Sequence, residues 1–144
     1  MILPAHHRFT IVSHARQEAP AEACGVLAGT DDRVRRVYRL PNVAENPLTR
    51  FLADPEAQLR CFRDMERRGL DMLAVYHSHP RTLPSPSATD VEMAYYPGAR
   101  QVIVSLGEFR PRLRCFTIRD GNVTEEALST GRALPGPASG NRPH

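Results

Sequence analysis

The chain has 144 residues, a length that suits one domain built around one hydrophobic core. Hydrophobic residues make up 41% of the chain and charged residues 24%, so the composition excludes a protein that is disordered throughout. No apolar run approaches the ~20 residues that cross a bilayer, and the first residues lack the pattern of a signal peptide. We therefore expect a cytoplasmic protein without a membrane partner.

The formal charge of +3 is mildly basic, and three of the arginines, Arg110, Arg112 and Arg114, alternate along one segment. If that segment is a strand, the three side chains share a face. Such a stripe could dock an acidic partner or a nucleic-acid backbone. Aromatic residues make up only 6% of the chain, which gives little support for base stacking. A solvated edge strand is the simpler interpretation, and we expect no nucleic-acid partner.

The three cysteines, Cys24, Cys61 and Cys115, are an odd number without C-x-x-C spacing. This pattern indicates neither a disulfide framework nor a metal site made of thiolates. We therefore expect three free thiols in the core.

The first part of the chain predicts a helix followed by a β-hairpin. Apolar residues recur at near-helical spacing over residues 9–18, and Pro20 ends that helix. A short apolar run between glycines at 25–29, two aspartates at 31–32 and the segment 33–40 together indicate the hairpin.

A further short strand is predicted at 48–53, before a second helix. Asp54-Pro55 is a helix-opening pair, with the aspartate as N-cap and the proline at the first helical position. This helix should run to about residue 68, where Gly69 supplies its C-terminal cap. Residues 71–79 then form a mostly buried strand that ends in polar side chains.

Three prolines make the segment 80–86 irregular, and Ser87 opens another helix that runs to about residue 96. Three more strands complete the sheet, at 101–106, 112–118 and 123–128, with a turn at Asp120-Gly-Asn between the last two. These elements predict an α/β fold of the α+β type, with a single mixed, largely antiparallel sheet flanked by helices. We assign residues 1–129 to the domain and residues 130–144, rich in glycine and proline, to a flexible C-terminal tail.

Three side chains with the chemistry of metal ligands stand at and after the end of the buried strand. His77 and His79 are two residues apart, so both imidazoles project from one face and can reach one ion, while Ser78 points the other way. The proline-rich loop would return the chain so that Asp90 presents a carboxylate beside them. Two nitrogens and one oxygen leave a fourth tetrahedral position open, as in a catalytic zinc site.

Each of these residues also has a purely structural interpretation. Ser87 and Asp90 have the spacing of a capping box, and histidines on an apolar strand can be hydrogen-bonded core residues. Glu22, taken alone, is typical of a surface carboxylate. The other four histidines are expected at the surface: His6, His7, His14 and His144.

Taken together, the motifs resemble one family. His77-Ser-His-Pro80, a six-residue spacer and Ser87-Ala-Thr-Asp90 match every signature position of the JAMM (MPN+) metalloproteases. Glu22-Ala-Cys-Gly25 resembles the upstream E-x-C-G segment of that family, and residues 46–51 resemble its short prokaryotic branch. The resemblance spans roughly residues 5–128, and it implies the cytidine-deaminase-like JAMM/MPN architecture.

The resemblance also implies a role for each matching residue. His77, His79 and Asp90 would hold a Zn²⁺ ion, with water as the fourth ligand. Glu22 would be the general base that takes a proton from the attacking water and gives it to the leaving amine. Ser87 would donate a hydrogen bond to the water or to the developing oxyanion.

Members of this family cleave after the C terminus of ubiquitin or a ubiquitin-like protein, and the short prokaryotic members are associated with sulfur carriers that end in Gly-Gly. The resemblance therefore implies a zinc-dependent peptidase or isopeptidase with such a carrier as partner. Release of cysteine from a carrier is the favoured specific reaction. Its rivals are removal of a carrier from protein lysines and maturation of a carrier by clipping residues after Gly-Gly. Two other classes stay open at this point: a non-catalytic MPN scaffold and a DNA-repair-associated JAB-like protein. A homodimer is an open alternative for its assembly.

Overall fold

A computed structural model describes residues 1–92 and 99–131. It contains helices α1 (Ala5–Glu18), α2 (Pro55–Arg68) and α3 (Ala88–Glu92), and strands β1 (Cys24–Thr30), β2 (Arg33–Leu40), β3 (Asp71–His79), β4 (Arg100–Ser105), β5 (Arg112–Arg119) and β6 (Asn122–Glu126). The strands form one six-stranded sheet in the order β2-β1-β3-β4-β5-β6. Only β3 and β4 run parallel among these neighbours, so the predicted mixed, largely antiparallel sheet is confirmed.

The two hairpins close through turns that need left-handed backbone. Asp31 and Asp32 have φ of 53° and 58° between β1 and β2, and Asp120 and Gly121 have φ of 49° and 77° between β5 and β6. Positive φ at both central residues is the requirement of the two-residue turn whose twist matches that of the paired strands. Both predicted hairpins are therefore present.

Two hydrophobic clusters lie on opposite faces of the sheet. The α1 face includes Ile11 and Ala15 of the helix, packed with Leu27 and Tyr76 of the central strands. The α2 face contains the following buried residues: Cys24, Val26, Ala28, Leu40, Cys61, Met65 and Val75. Side chains alternate along a strand, so β3 sends Tyr76 to the first face and His77 to the second.

The second helix begins and ends where the sequence predicts. The Asp54 carboxylate accepts a hydrogen bond from the backbone N–H of Ala57 at 3.0 Å, Pro55 occupies the first helical position, and Gly69 ends the helix at φ 67°. The first helix begins at Ala5, four residues before the predicted start, directly after Pro4. All three cysteines are buried free thiols, as predicted.

Three structural predictions are wrong. The segment 48–53 is not a strand, and its only strand-like feature is an isolated bridge between Asn42 and Ala53. The Asn42 side chain hydrogen-bonds the carbonyl of Arg50 and the N–H of Leu52, which a neighbouring strand would otherwise bind. His14 is buried, since it lies on the inner face of the longer α1. The arginine-rich strand β5 is not an edge strand, because β6 pairs with its outer side.

The remaining predictions on helix and tail fall partly outside the described residues. Helix α3 is described as far as Glu92, and the predicted continuation to residue 96 lies beyond it. The same holds for most of the predicted tail, and its boundary at residue 129 stays a prediction. Among the described residues, no helix has the length and apolarity to cross a bilayer.

Candidate metal centre

The two histidines of the signature stand at the end of β3, on the face that carries α2. His77 and His79 are buried, and their Nε2 atoms lie 3.2 Å apart. Ser78 between them points away: its Oγ accepts a hydrogen bond from the backbone N–H of Ala23 at 2.7 Å. The alternation of β3 therefore aims both imidazoles at one point and uses the intervening serine to fasten the start of β1.

The short helix α3 brings in the carboxylate. The backbone N–H of Asp90 donates to Ser87 Oγ at 3.0 Å, and the backbone N–H of Ser87 donates to Asp90 Oδ2 at 2.8 Å. This reciprocal cap fixes the Asp90 side chain at the start of the helix. Asp90 Oδ2 lies 3.2 Å from His77 Nε2 and 3.0 Å from His79 Nε2. The predicted capping box is thus present, and it leaves the Asp90 carboxylate beside the two imidazoles, where it could also bind a metal.

The spacing of these three atoms fits a tetrahedral zinc ion. Zinc bonds of about 2.0–2.1 Å to nitrogen and oxygen place neighbouring ligand atoms roughly 3.3 Å apart. The three separations here are 3.0, 3.2 and 3.2 Å. His79 Nδ1 lies 2.8 Å from the carbonyl oxygen of Leu83, so a proton on Nδ1 frees the Nε2 lone pair to bind a metal. His77 Nδ1 is the one buried side-chain polar atom without a hydrogen-bond partner in the described parts of the chain.

Glu22 reaches the same point from the segment just before β1. Cys24 pairs with His77 across the antiparallel strands, and two residues further back this register sets Glu22 opposite His79. The carboxylate is buried, and one ligand atom from each of Glu22, His77, His79 and Asp90 lies within 4.8 Å of the others. Four such groups with converging ligand atoms could hold a metal ion.

The site changes the protonation behaviour of both carboxylates. Burial raises the pKa of Glu22 to about 7, with His79 opposing and Asp90 reinforcing that shift. Burial also raises the pKa of Asp90, but hydrogen bonds from His77 and His79 outweigh it and hold that pKa well below its usual range. Asp90 is therefore ionised at neutral pH and suited to a ligand, whereas Glu22 is poised to accept and return a proton.

An open cleft of about 560 Å³ passes over the site. Glu22, His79 and Ser87 line it, together with Leu48 and Thr49 from the segment 41–54, which we call the 41–54 loop. The structure thus brings the five predicted site residues together, and three of them line this cleft. Their catalytic and ligand roles are considered below.

Sequence reasoning missed the residues that support this centre. Phe51 stacks on the His77 ring, and Asn42 fastens the 41–54 loop. The motif match at residues 46–51 included Phe51 without assigning it a role, and Asn42 lies 35 residues before His77 with no local pattern that marks it. Ser78 was predicted only to point away, not to hold Ala23.

Comparison with proteins of known sequence gives consistent relatives. A peptidase from Mycobacterium tuberculosis named "CysO-cysteine peptidase" is 42% identical over 122 residues, which cover 83% of this chain and 83% of that protein. A protein from Haloferax volcanii named "Desampylase" is 43% identical over 109 residues, covering 72% of this chain and 78% of its own.

Solved structures are similar as well. A solution structure from Desulfitobacterium hafniense matches with a TM-score of 0.80 and 41% identity, covering 89% of this chain and 91% of that one. A JAB1/MPN domain protein from Archaeoglobus fulgidus matches with a TM-score of 0.60 and 22% identity over 90% of this chain and 99% of that one, which shows the shared fold. The family model described as prokaryotic homologs of the JAB domain matches residues 4–119. With a matched sheet, a matched signature and relatives over most of its length, the chain belongs to this prokaryotic JAB branch of the JAMM/MPN family.

Proposed function

We propose that the protein is a zinc-dependent peptidase that hydrolyses the bond following the C-terminal Gly-Gly of a ubiquitin-like sulfur-carrier protein. One observation carries the proposal: three ligand atoms, His77 Nε2, His79 Nε2 and Asp90 Oδ2, lie 3.0–3.2 Å apart with the Glu22 carboxylate beside them. These three atoms lie within hydrogen-bonding distance of one another, and an open zinc site needs such a convergence of ligand atoms.

His77, His79 and Asp90 would hold the ion. Bound there, zinc would act as a Lewis acid that polarises the scissile carbonyl and acidifies water in the cleft. Glu22, with its pKa near 7, would take the proton of the attacking water and deliver it to the departing amine. Ser87 Oγ already accepts the N–H of Asp90, so its own O–H is free to donate to the oxyanion as charge develops.

The names of the relatives support a carrier substrate. One is a CysO-cysteine peptidase, another a desampylase, and a Thermus thermophilus relative is named a probable TtuB-protein conjugate cleaving protease. A diglycine end suits this cleft, because glycines carry no side chain and can lie extended close to the protein backbone. Release of a carrier-borne cysteine is the reaction we favour, since the peptidase matches the larger part of this chain.

The alternatives lack support from the site. A non-catalytic MPN scaffold has no need of a complete ligand set with a proton-accepting carboxylate, and here none of the signature residues is missing. A DNA-repair role would need a surface for nucleic acid, yet Arg112 and Arg114 of the basic stripe pair with Glu108 and Glu125. A gel-shift assay at moderate salt should show no binding.

The test is mass spectrometry of two substrates incubated with the purified protein. One is a ubiquitin-like carrier with cysteine after Gly-Gly, and the other is the same carrier joined to a lysine side chain of a peptide. Loss of one cysteine that a zinc chelator prevents would support the favoured reaction. Cleavage of the lysine conjugate alone would move the assignment to deconjugation. Cleavage of neither by zinc-loaded protein, or cleavage that persists in chelator, would contradict the proposal.

A further inference from the structure

The two histidines of the metal centre are held in place by different means. His79 uses Nδ1 to bond the carbonyl of Leu83, which fixes the rotation of its ring. His77 Nδ1 is buried and has no hydrogen-bond partner in the described parts of the chain. Metal-binding imidazoles almost always use their second nitrogen for such a bond, since it orients the ring and selects its tautomer. Something else must therefore fix the orientation of His77.

Phe51 supplies a flat surface for that ring. The ring centroids of Phe51 and His77 lie 4.4 Å apart, and the ring planes are inclined by only 18°. Phe51 is half-buried and packs against the hydrophobic cluster on the α2 face. A stacked face resists rotation of the imidazole about its Cβ–Cγ bond, because any tilt would push the ring into the phenyl group or open a gap beneath it.

The backbone of Phe51 is in turn bracketed by a single side chain. Asn42 Nδ2 donates to the carbonyl of Arg50 at 3.0 Å, and Asn42 Oδ1 accepts from the backbone N–H of Leu52 at 3.0 Å, so the bonds lie on either side of Phe51. The same amide also donates to the carbonyl of Glu22 at 2.9 Å and accepts from the N–H of Ala44 at 3.1 Å. Asn42 thus uses all four of its hydrogen-bonding positions to tie the 41–54 loop to the site.

We propose that Phe51 is a positioning residue for the metal centre: its ring orients His77 for metal binding in place of a hydrogen bond, and Asn42 holds Phe51 at that position. This inference rests on the metal site of the proposed function. It assigns the 41–54 loop a second task besides lining the cleft, and it accounts for the buried Nδ1 atom of His77, which has no hydrogen-bond partner among residues 1–92 and 99–131.

The alternative is that Phe51 only fills space, and the two can be separated by the variants Phe51→Leu and Phe51→Tyr. Leucine keeps an apolar side chain without a flat face, whereas tyrosine keeps the ring. Phe116→Leu is the matched control, because Phe116 is a buried phenylalanine on β5, and strand β4 separates β5 from the strand that carries the two histidines. The readouts are zinc affinity of the full chain, measured by competition with a chromogenic chelator, and the visible spectrum of the Co²⁺-loaded protein.

We expect Phe51→Leu to bind zinc about 10- to 100-fold more weakly, as is usual when a residue that supports a ligand is lost. Its Co²⁺ spectrum should change because the ligand geometry loosens. Phe51→Tyr and Phe116→Leu should stay within about threefold of the wild type and keep its spectrum. Wild-type affinity for Phe51→Leu would overturn the inference, and so would an equal loss for Phe51→Tyr or for Phe116→Leu.

Asn42→Ala keeps the inference testable if Phe51→Leu does not fold. It should weaken zinc binding in the same direction, while Asn122→Ala on the exposed edge strand should not. Where both single variants fold, the double variant should bind zinc no more weakly than Phe51→Leu, because the two residues act in series. Additive losses would contradict this. If the wild type itself binds no zinc, the proposed function fails as well, whereas wild-type binding with an unaffected Phe51→Leu removes this inference alone.

Discussion

Two buried histidines, His14 of α1 and His77 of β3, lie on opposite faces of the sheet and have different hydrogen-bond partners. On the α1 face, His14 Nδ1 lies 2.8 Å from the Tyr76 hydroxyl, and His14 Nε2 lies 3.8 Å from Glu18 at the surface. Burial lowers the pKa of His14, so its neutral ring can accept a hydrogen bond from the Tyr76 hydroxyl at Nδ1 and turn its Nε2–H toward the Glu18 carboxylate. On the α2 face, His77 Nε2 lies 3.2 Å from another imidazole and 3.2 Å from a carboxylate, and its Nδ1 has no hydrogen-bond partner within the described part of the chain.

The difference lies in the balance of donors and acceptors. The His14–Tyr76 pair has a donor for its acceptor and is complete within the protein. The His77 cluster brings two imidazole nitrogens to one carboxylate oxygen, and these three atoms lie close enough to share one cation when both nitrogens are deprotonated. Burial alone therefore does not distinguish a structural histidine from a ligand. The partners of the ring nitrogens do.

The largest effect should come from Glu22→Gln. The amide keeps the size of the side chain but cannot accept and return a proton, so turnover of the carrier substrate should fall by about 10²- to 10⁴-fold. Zinc content after dialysis, measured by elemental analysis, should match that of the wild type. Turnover within a factor of a few of the wild type would remove Glu22 from the proton-transfer role.

Asp90→Ala should act on metal binding itself. Loss of the carboxylate removes one of three ligand atoms, so zinc affinity should fall by more than the about 10- to 100-fold typical of a supporting residue. Competition with a chelator measures this directly. The control is Asp64→Ala, which removes a carboxylate from the surface of α2, where Asp64 pairs with Arg67 and Arg68. An unchanged zinc stoichiometry in Asp90→Ala would count against the ligand assignment.

Substitutions of His14 and His77 should have different effects: the first should lower the stability of the fold, and the second should remove metal binding. His14→Ala leaves the buried Tyr76 hydroxyl without its partner, which should cost about 2 kcal/mol of unfolding free energy. That cost should be the same with zinc and with chelator. His77→Ala should instead abolish the stabilisation that zinc gives to the wild type. Urea denaturation of each variant, with zinc and with chelator, measures these unfolding free energies. If His14→Ala also lost the stabilisation by zinc, the distinction between the two histidines would be contradicted.

The smallest effect is the pH dependence of stability in chelator. Glu22 has a folded pKa of about 7 and an unfolded value near 4.5, so the folded state holds the extra proton. Its contribution to stability is present below about pH 4.5 and is lost as the pH rises through 7. Glu22→Gln should therefore be more stable than the wild type by about 1–3 kcal/mol at pH 8. This difference in unfolding free energy should become smaller toward pH 5. A difference that is the same at pH 5 and pH 8 would contradict the raised pKa of Glu22.

The sequence predicts those parts of this molecule that depend on local chemistry. The Asp54 cap, the Gly69 terminus, both tight turns and the alternation of His77 and His79 all follow from neighbouring residues. A spaced motif predicts the site residues, and the fold brings them together beside one cleft. Local patterns succeed here because each is decided within a few residues.

What failed depended on distant partners. The segment 48–53 has the composition of a strand, but the side chain of Asn42 binds its backbone instead. His14 has no local sign of burial, and its partner Tyr76 lies 62 residues away. The stacking of Phe51 on His77 likewise joins a loop to a strand through the tertiary fold. Such contacts become visible only when the chain has been folded.

The most direct test of the comparison is a crystal structure of the zinc-loaded protein with anomalous data collected at the zinc absorption edge. The account predicts one strong peak within about 2.0–2.2 Å of His77 Nε2, His79 Nε2 and Asp90 Oδ2, and no peak beside His14. A peak at His14, or none between His77, His79 and Asp90 in crystals shown to contain zinc, would contradict it.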